Sequence, residues 1–83
     1  MNRYSVKFKC VCPNNRKVIN YTLVIESDEM IMVEELTQHI KDECSEGYHE
    51  NIADELFNAF GGSQQLVAIH HGVLIETYRS EEM

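Results

Sequence analysis

The chain has one proline, four glycines and no tryptophan, and none of it is repeated or low in complexity. Linker-rich, collagen-like and solenoid architectures are thereby excluded. The 83 residues make one domain, 1–83, with a tail over 80–83 expected to fray. No apolar run approaches the ~18 residues of a membrane span, and the opening MNRYSVKFKC has no apolar signal-peptide core. A cytoplasmic protein without a membrane partner is expected. Cysteine is scarce and odd in number. Three of them without an export signal point to free thiols in a reducing compartment rather than to a disulfide framework. Positive charge is scarce as well: seven Lys and Arg against fourteen Asp and Glu give a net charge of −7. Such a chain repels phosphate, so direct nucleic-acid binding is not expected.

The charge is also unevenly spread. Residues 1–25 carry Arg3, Lys7, Lys9, Arg16 and Lys17 and no acid, whereas 26–55 carry eleven acids against Lys41 alone. This is either a solvated face that aids solubility or a surface for a basic partner.

Apolar periodicity divides the chain into six elements. Tyr4, Val6, Phe8, Cys10 and Cys12 alternate with Ser5, Lys7 and Lys9, as in a strand with one wet face. Pro13-Asn14-Asn15 supplies turn chemistry, with the asparagines suited to positive φ. A second strand follows over Val18–Glu26, where Ile19, Tyr21, Leu23 and Ile25 alternate with polar residues. After Ser27-Asp28-Glu29 the period becomes helical, with Val33, Leu36, Ile40 and Cys44 inward and Gly47 as the stop. A second helix is predicted from His49 to Phe60, burying Ile52, Ala53, Leu56, Phe57 and Phe60 and ending at Gly61-Gly62. Gln65 to Arg79 returns to strand character, either as a hairpin turning at His71-Gly72 or as one bent strand. The order ββααββ makes an α+β antiparallel sheet with both helices on one face. Its two edges would have nothing to cover them, so a homo-oligomer paired through sheet edges is expected.

Two stretches carry candidate chemistry. Cys12-Pro13 puts a thiol at a strand end, and Tyr48-His49-Glu50 puts an imidazole and a carboxylate at a helix start. Cys12 shares a face with Cys10, Phe8 and Val6, so a buried structural thiol is the competing reading. An acid opening a helix is favoured by the dipole alone. Cys10, Cys12, Cys44 and His49 could in principle ligate zinc, but C-x-C is not the paired spacing of thiolate sites, and no metal is expected. Cys10 and Cys44 follow the apolar periods and belong to the core. His70-His71 reads as a solvated turn pair.

Phe8-Lys9-Cys10-Val11-Cys12-Pro13, Tyr21–Glu26, Gly47-Tyr48-His49-Glu50-Asn51 and the closing Gln65–Thr77 segment together resemble one family. These are the nitrile reductases acting on 7-cyano-7-deazaguanine, in the tunnelling-fold superfamily with GTP cyclohydrolase and the pterin synthases. The likeness covers about residues 4–79 and implies a tunnelling-fold sheet. It also implies an oxidoreductase-like place in queuosine biosynthesis, a tRNA modification. By that resemblance Cys12 is the nucleophile that adds to a nitrile carbon to give a thioimide, a reaction of the thiolate. Glu50 accepts paired hydrogen bonds from the N–H edge of a purine-like, deazapurine or pterin-like heterocycle, and His49 donates a proton or contacts substrate. The family's catalytic Asp falls at Ile19, which transfers no proton. Its basic motif for NADPH is replaced by Glu34-Glu35-Leu36-Thr37-Gln38-His39, whose acids would repel the cofactor's phosphates. The sequence thus leaves two readings: a small-molecule heterocycle site on Cys12, His49 and Glu50, or a non-catalytic acidic module that docks on a basic partner.

Overall fold

The computed structural model describes residues 1–81. The strands are β1 (Asn2–Val11), β2 (Val18–Ser27), β3 (Ser63–His70) and β4 (Val73–Ser80), with α1 (Val33–Glu43) and α2 (His49–Phe60) between β2 and β3. All neighbouring strands are antiparallel, in the order β1-β2-β3-β4. The α+β architecture expected from the apolar periods is the one observed.

Alternation decides which side chains face the helices. In β1 these are Tyr4, Val6, Phe8 and Cys10, opposite Ile25, Leu23, Tyr21 and Ile19 of β2. In β3 they are Gln64, Leu66, Ala68 and His70. Leu36 and Ile40 of α1 and Ile52, Ala53 and Leu56 of α2 close the core over Cys10, Tyr21, Leu23, Ile25, Leu66 and Ala68. Cys44 at the end of α1 is fully buried with them. Two helices on one face of a four-stranded sheet leave the helix ends and strand edges to be satisfied locally. Gln64, buried beneath the end of α2, donates from Nε2 to the Leu56 carbonyl (3.0 Å) and the Gly61 carbonyl (2.8 Å). Tyr4 Oη accepts from the Ile31 amide at 3.0 Å and pins the approach to α1 against β1.

Local details depart from the periodic reading. Val33 is 55% exposed, because it opens α1 before the helix has reached the sheet. Phe57 and Phe60 are half-buried; Phe60 instead takes the edge of the His39 ring at 5.3 Å. In the first turn the positive φ falls on Arg16 (62°), not on an asparagine. The Asn15 side chain is occupied otherwise, its Oδ1 accepting the Lys17 amide at 3.0 Å. His71 (φ 50°) and Gly72 (φ 79°) form the two-residue hairpin loop, both left-handed as a type I′ turn requires. Ser80, assigned from sequence to the fraying tail, is the last residue of β4 opposite Ser63; residues 82 and 83 of that tail lie outside the described ones.

Among the described residues the outer edges of β1 and β4 pair with no further strand, except where Val11 at the end of β1 bridges to Glu46. The sheet face opposite the helices is also uncovered. It carries Arg3, Lys7 and Lys9 from β1, and Ile69, Leu74 and Tyr78 from β3 and β4, each of the latter three more than half exposed.

Candidate functional site at one end of the sheet

One end of the sheet gathers most of the chemistry-bearing residues. Beyond its pairing with Val18, Val11 turns its backbone to the loop between the helices: its amide donates to the Ser45 carbonyl (2.9 Å), and its carbonyl accepts from the Gly47 amide (3.1 Å). This parallel bridge to Glu46 is the only link of that sense among the described strand pairings. It exists because β1 runs to the very end of the ladder, while the loop after α1 must descend past it to start α2. The Arg16–Glu46 ion pair at 2.8 Å spans the same junction. Both of its ends are half or more exposed, so it contributes little stability.

Cys12 follows directly. Its amide donates to the Lys17 carbonyl (2.9 Å) and its carbonyl accepts from the Arg16 amide (2.8 Å), which closes the β1–β2 turn. Its thiol is half-buried, whereas Cys10 and Cys44 are wholly enclosed. Burial pushes the Cys10 thiol up, and it pushes Cys44 up to about 12. Both therefore stay protonated and unreactive at neutral pH. Cys12 is the one cysteine that reagents can reach.

His49 is the first residue of α2 and is 7% exposed. Its ring sits on Tyr21 (centroids 5.3 Å apart) and against His70 (5.2 Å). His49 Nε2 donates to the Leu66 carbonyl at 3.2 Å, and His49 Nδ1 lies 3.1 Å from His70 Nε2. Desolvation lowers the His49 pKa, opposed by its bond to the Leu66 carbonyl; desolvation also lowers that of His70. The imidazole expected to meet a substrate is thus turned into the protein, with both nitrogens engaged. Glu50, the next residue, is exposed and makes no hydrogen bond or ion pair among the described residues. Tyr21 binds the cluster together. It stacks on Phe8 at 5.3 Å, and its phenol is pushed up by burial and by the neighbouring Cys10 and Cys12.

The backbone therefore brings the Cys12 and Gly47–Glu50 segments to one junction. Four surface clefts among the described residues lie elsewhere, and none of them is lined by Cys12, His49 or Glu50. Among the described residues no three His, Cys, Asp or Glu side chains converge as metal ligands, and no helix is long and apolar enough to cross a membrane.

His70 is the participant that the sequence reading misplaced. It shares the inward face of β3 with Leu66 and Ala68, while only His71, 3.0 Å from the Asn15 amide nitrogen, belongs to the exposed turn. A hairpin turn centred on His71-Gly72 makes His70 the last strand residue, and period-two counting from Leu66 then turns it inward.

Compared with protein-family models, with curated proteins and with solved structures, the chain gives no match.

Proposed function

We propose that this protein binds a planar nitrogen heterocycle of purine, deazapurine or pterin type at a site that a second copy completes, with Cys12 as nucleophile and Glu50 as anchor. The observation that carries this reading is the pair of hydrogen bonds that ties Val11 to the loop, from the Val11 amide to the Ser45 carbonyl and from the Gly47 amide to the Val11 carbonyl. It joins the strand end bearing the reachable thiol to the segment that presents an unpaired carboxylate. Glu50 offers two acceptor oxygens to a ring N–H edge, and exposure leaves both free for it. The two uncovered strand edges make side-by-side association the natural source of the missing pocket wall.

With a nitrile-bearing ring, the Cys12 thiolate adds to the nitrile carbon. The displaced π pair goes to nitrogen, which takes back from solvent the proton that the thiol released, and a thioimide results. His49 holds the start of α2, with Nε2 on the Leu66 carbonyl and Nδ1 facing His70, and has no free nitrogen to offer a substrate. NADPH, which the family resemblance implies, does not fit this chain. Exposed Glu34 and Glu35 occupy the first turn of α1, where phosphates would have to be held, and Ile19 offers no proton. The reading is therefore binding and thioimide formation without hydride transfer.

In a screen of 7-cyano-7-deazaguanine, purines and pterins, a ligand at about 100 times its Kd should stabilise the protein by about 2.7 kcal/mol. Glu50→Gln should remove most of that gain, and bound nitrile should protect Cys12 from alkylation. A screen without a single thermal shift, together with unprotected Cys12, overturns the reading.

A second reading is favoured by the groove between the helices, about 640 Å³, walled by Glu34, Glu35, Gln38, His39 and Asp42 and floored by Ala59 and Phe60. None of Glu34, Glu35 or Asp42 is ion-paired among the described residues. Such a groove suits a basic protein segment. Its affinity for a Lys- and Arg-rich peptide should fall steeply between low and physiological salt, since exposed charges are screened over about 8–10 Å; binding indifferent to salt would count against it.

A further inference from the structure

We propose that His49 and His70 form an acid-sensitive latch, closed by one N–H···N hydrogen bond, that holds the start of α2 on the end of β3 and opens when both rings are protonated. This stands apart from the ligand reading, and holds or fails whether or not a heterocycle binds.

The geometry settles which nitrogen carries which proton. The Leu66 carbonyl can only accept, so His49 Nε2 must bear the hydrogen that spans their 3.2 Å separation. A neutral His49 then has a bare Nδ1, and the 3.1 Å contact is closed by the hydrogen on His70 Nε2. One added proton leaves the contact closed on either ring: His70 charged at Nδ1 still donates from Nε2, and His49 charged at Nδ1 donates to a His70 whose hydrogen has moved to its own Nδ1. Protons on both rings set N–H against N–H and open it.

The surroundings favour the neutral form. His49 is buried at the positive end of the α2 dipole, and the Tyr21 ring of β2 packs on both imidazoles. On β1, Cys10 and Cys12 lie close to Tyr21 and stay uncharged while protonated. Arg79 of β4 and the second histidine oppose a charge on His49, and Glu50 on α2 favours one. His71 in the turn opposes a charge on His70. Desolvation, the largest effect on both rings, outweighs Glu50 and leaves both below the ordinary value.

Linkage gives the direction. A histidine whose folded pKa lies below its open-state value, about 6.5, binds more protons when open. The latch contributes its full stability above that pH and loses it as pH falls toward the lowered folded values. What opens is the Gly47–Glu50 segment, held at one side by Val11 and at the other by this bond.

Imidazole 15N shifts and amide exchange of Gly47 and Ile52, whose N–H groups are bonded to the Val11 and Tyr48 carbonyls, corrected for the intrinsic rate, test this on the full chain. At pH 7.5 His49 should be the Nε2–H tautomer with an unprotonated Nδ1. Below about pH 6.5 the opening constant should rise by up to about tenfold per pH unit for each histidine that titrates. His70→Gln and His49→Gln each remove one of the two protons and should each make the rise shallower than in the wild type, to no more than about tenfold per unit. An Nδ1–H tautomer for His49 in the wild type, an opening constant indifferent to pH between 5 and 7, or the wild-type slope kept in either variant overturns the latch. If His49→Gln does not fold, the wild-type tautomer and slope decide.

Discussion

Leu56→Ala should cost about 2–5 kcal/mol of folding stability, the span for a buried leucine whose removal leaves a cavity. Leu56 has no exposed surface and faces the sheet from the centre of α2, among Leu23, Ile25 and Leu66 in the same core cluster. Its backbone carbonyl, which accepts from Gln64, is kept in the variant, so the loss reports on packing alone. Domains of this kind are stable by only about 5–15 kcal/mol in total. At about 4–8 °C for each kcal/mol in a domain of this size, the thermal midpoint should fall by at least about 8 °C. Val33→Ala, at a position more than half exposed, should stay within about 0.5 kcal/mol of wild type. Urea unfolding followed by circular dichroism measures both. A Leu56→Ala protein as stable as Val33→Ala would mean that α2 does not close the core.

Gly62→Ala should be nearly as damaging, for a different reason. Gly62 has φ of 72°, and a Cβ there would stand 2.5 Å from the backbone carbonyl oxygen of Glu26. That carbonyl belongs to β2 next to the Glu26–Ser63 pairing, so it cannot move aside without opening the β2–β3 ladder. The left-handed backbone costs an alanine about 1–2 kcal/mol and the forced shift about 1–3 more, less the roughly 0.4–1 kcal/mol gained by stiffening the unfolded chain. Gly72→Ala is the internal control. It has the same sign of φ (79°) but nothing within 4 Å of the new Cβ, so only the backbone cost of about 1–2 kcal/mol remains, less the same unfolded-chain gain. Equal losses in the two variants would show that the close approach of Gly62 to Glu26 is not what matters.

These two positions differ in how far the sequence exposes them. Leu56 is legible: with Ile52 and Ala53 it falls on one stripe of a helical period, and helices in small domains bury such stripes. Gly62 is legible only as part of a helix stop. That its hydrogen rather than its φ is the sharper requirement depends on a strand distant in sequence. The same holds for Phe57 and Phe60, placed by period on the buried stripe. The period gives the direction of a side chain, but the width of the sheet beneath decides how much of it is covered.

At the candidate site the thiol, the imidazole and the carboxylate were found by residue type and by position at element ends. Their relation was not found. Nothing local to Val11 signals that it bonds to Ser45 and Gly47, and nothing in His70-His71 says that one ring turns inward while the other stays in the turn.

Local chemistry alone determined the first two strands, the two helices and the strand character of the closing segment, their order, the free thiols and the acidic helical layer, because period, turn residues and charge are properties of neighbours in the chain. Tertiary structure alone decided that His49 faces His70 and Leu66, that Cys12 is the reachable cysteine, and that the strand end and helix start share a junction. Those facts depend on register and on the docking of one loop, where a shift of a single residue would reverse every face.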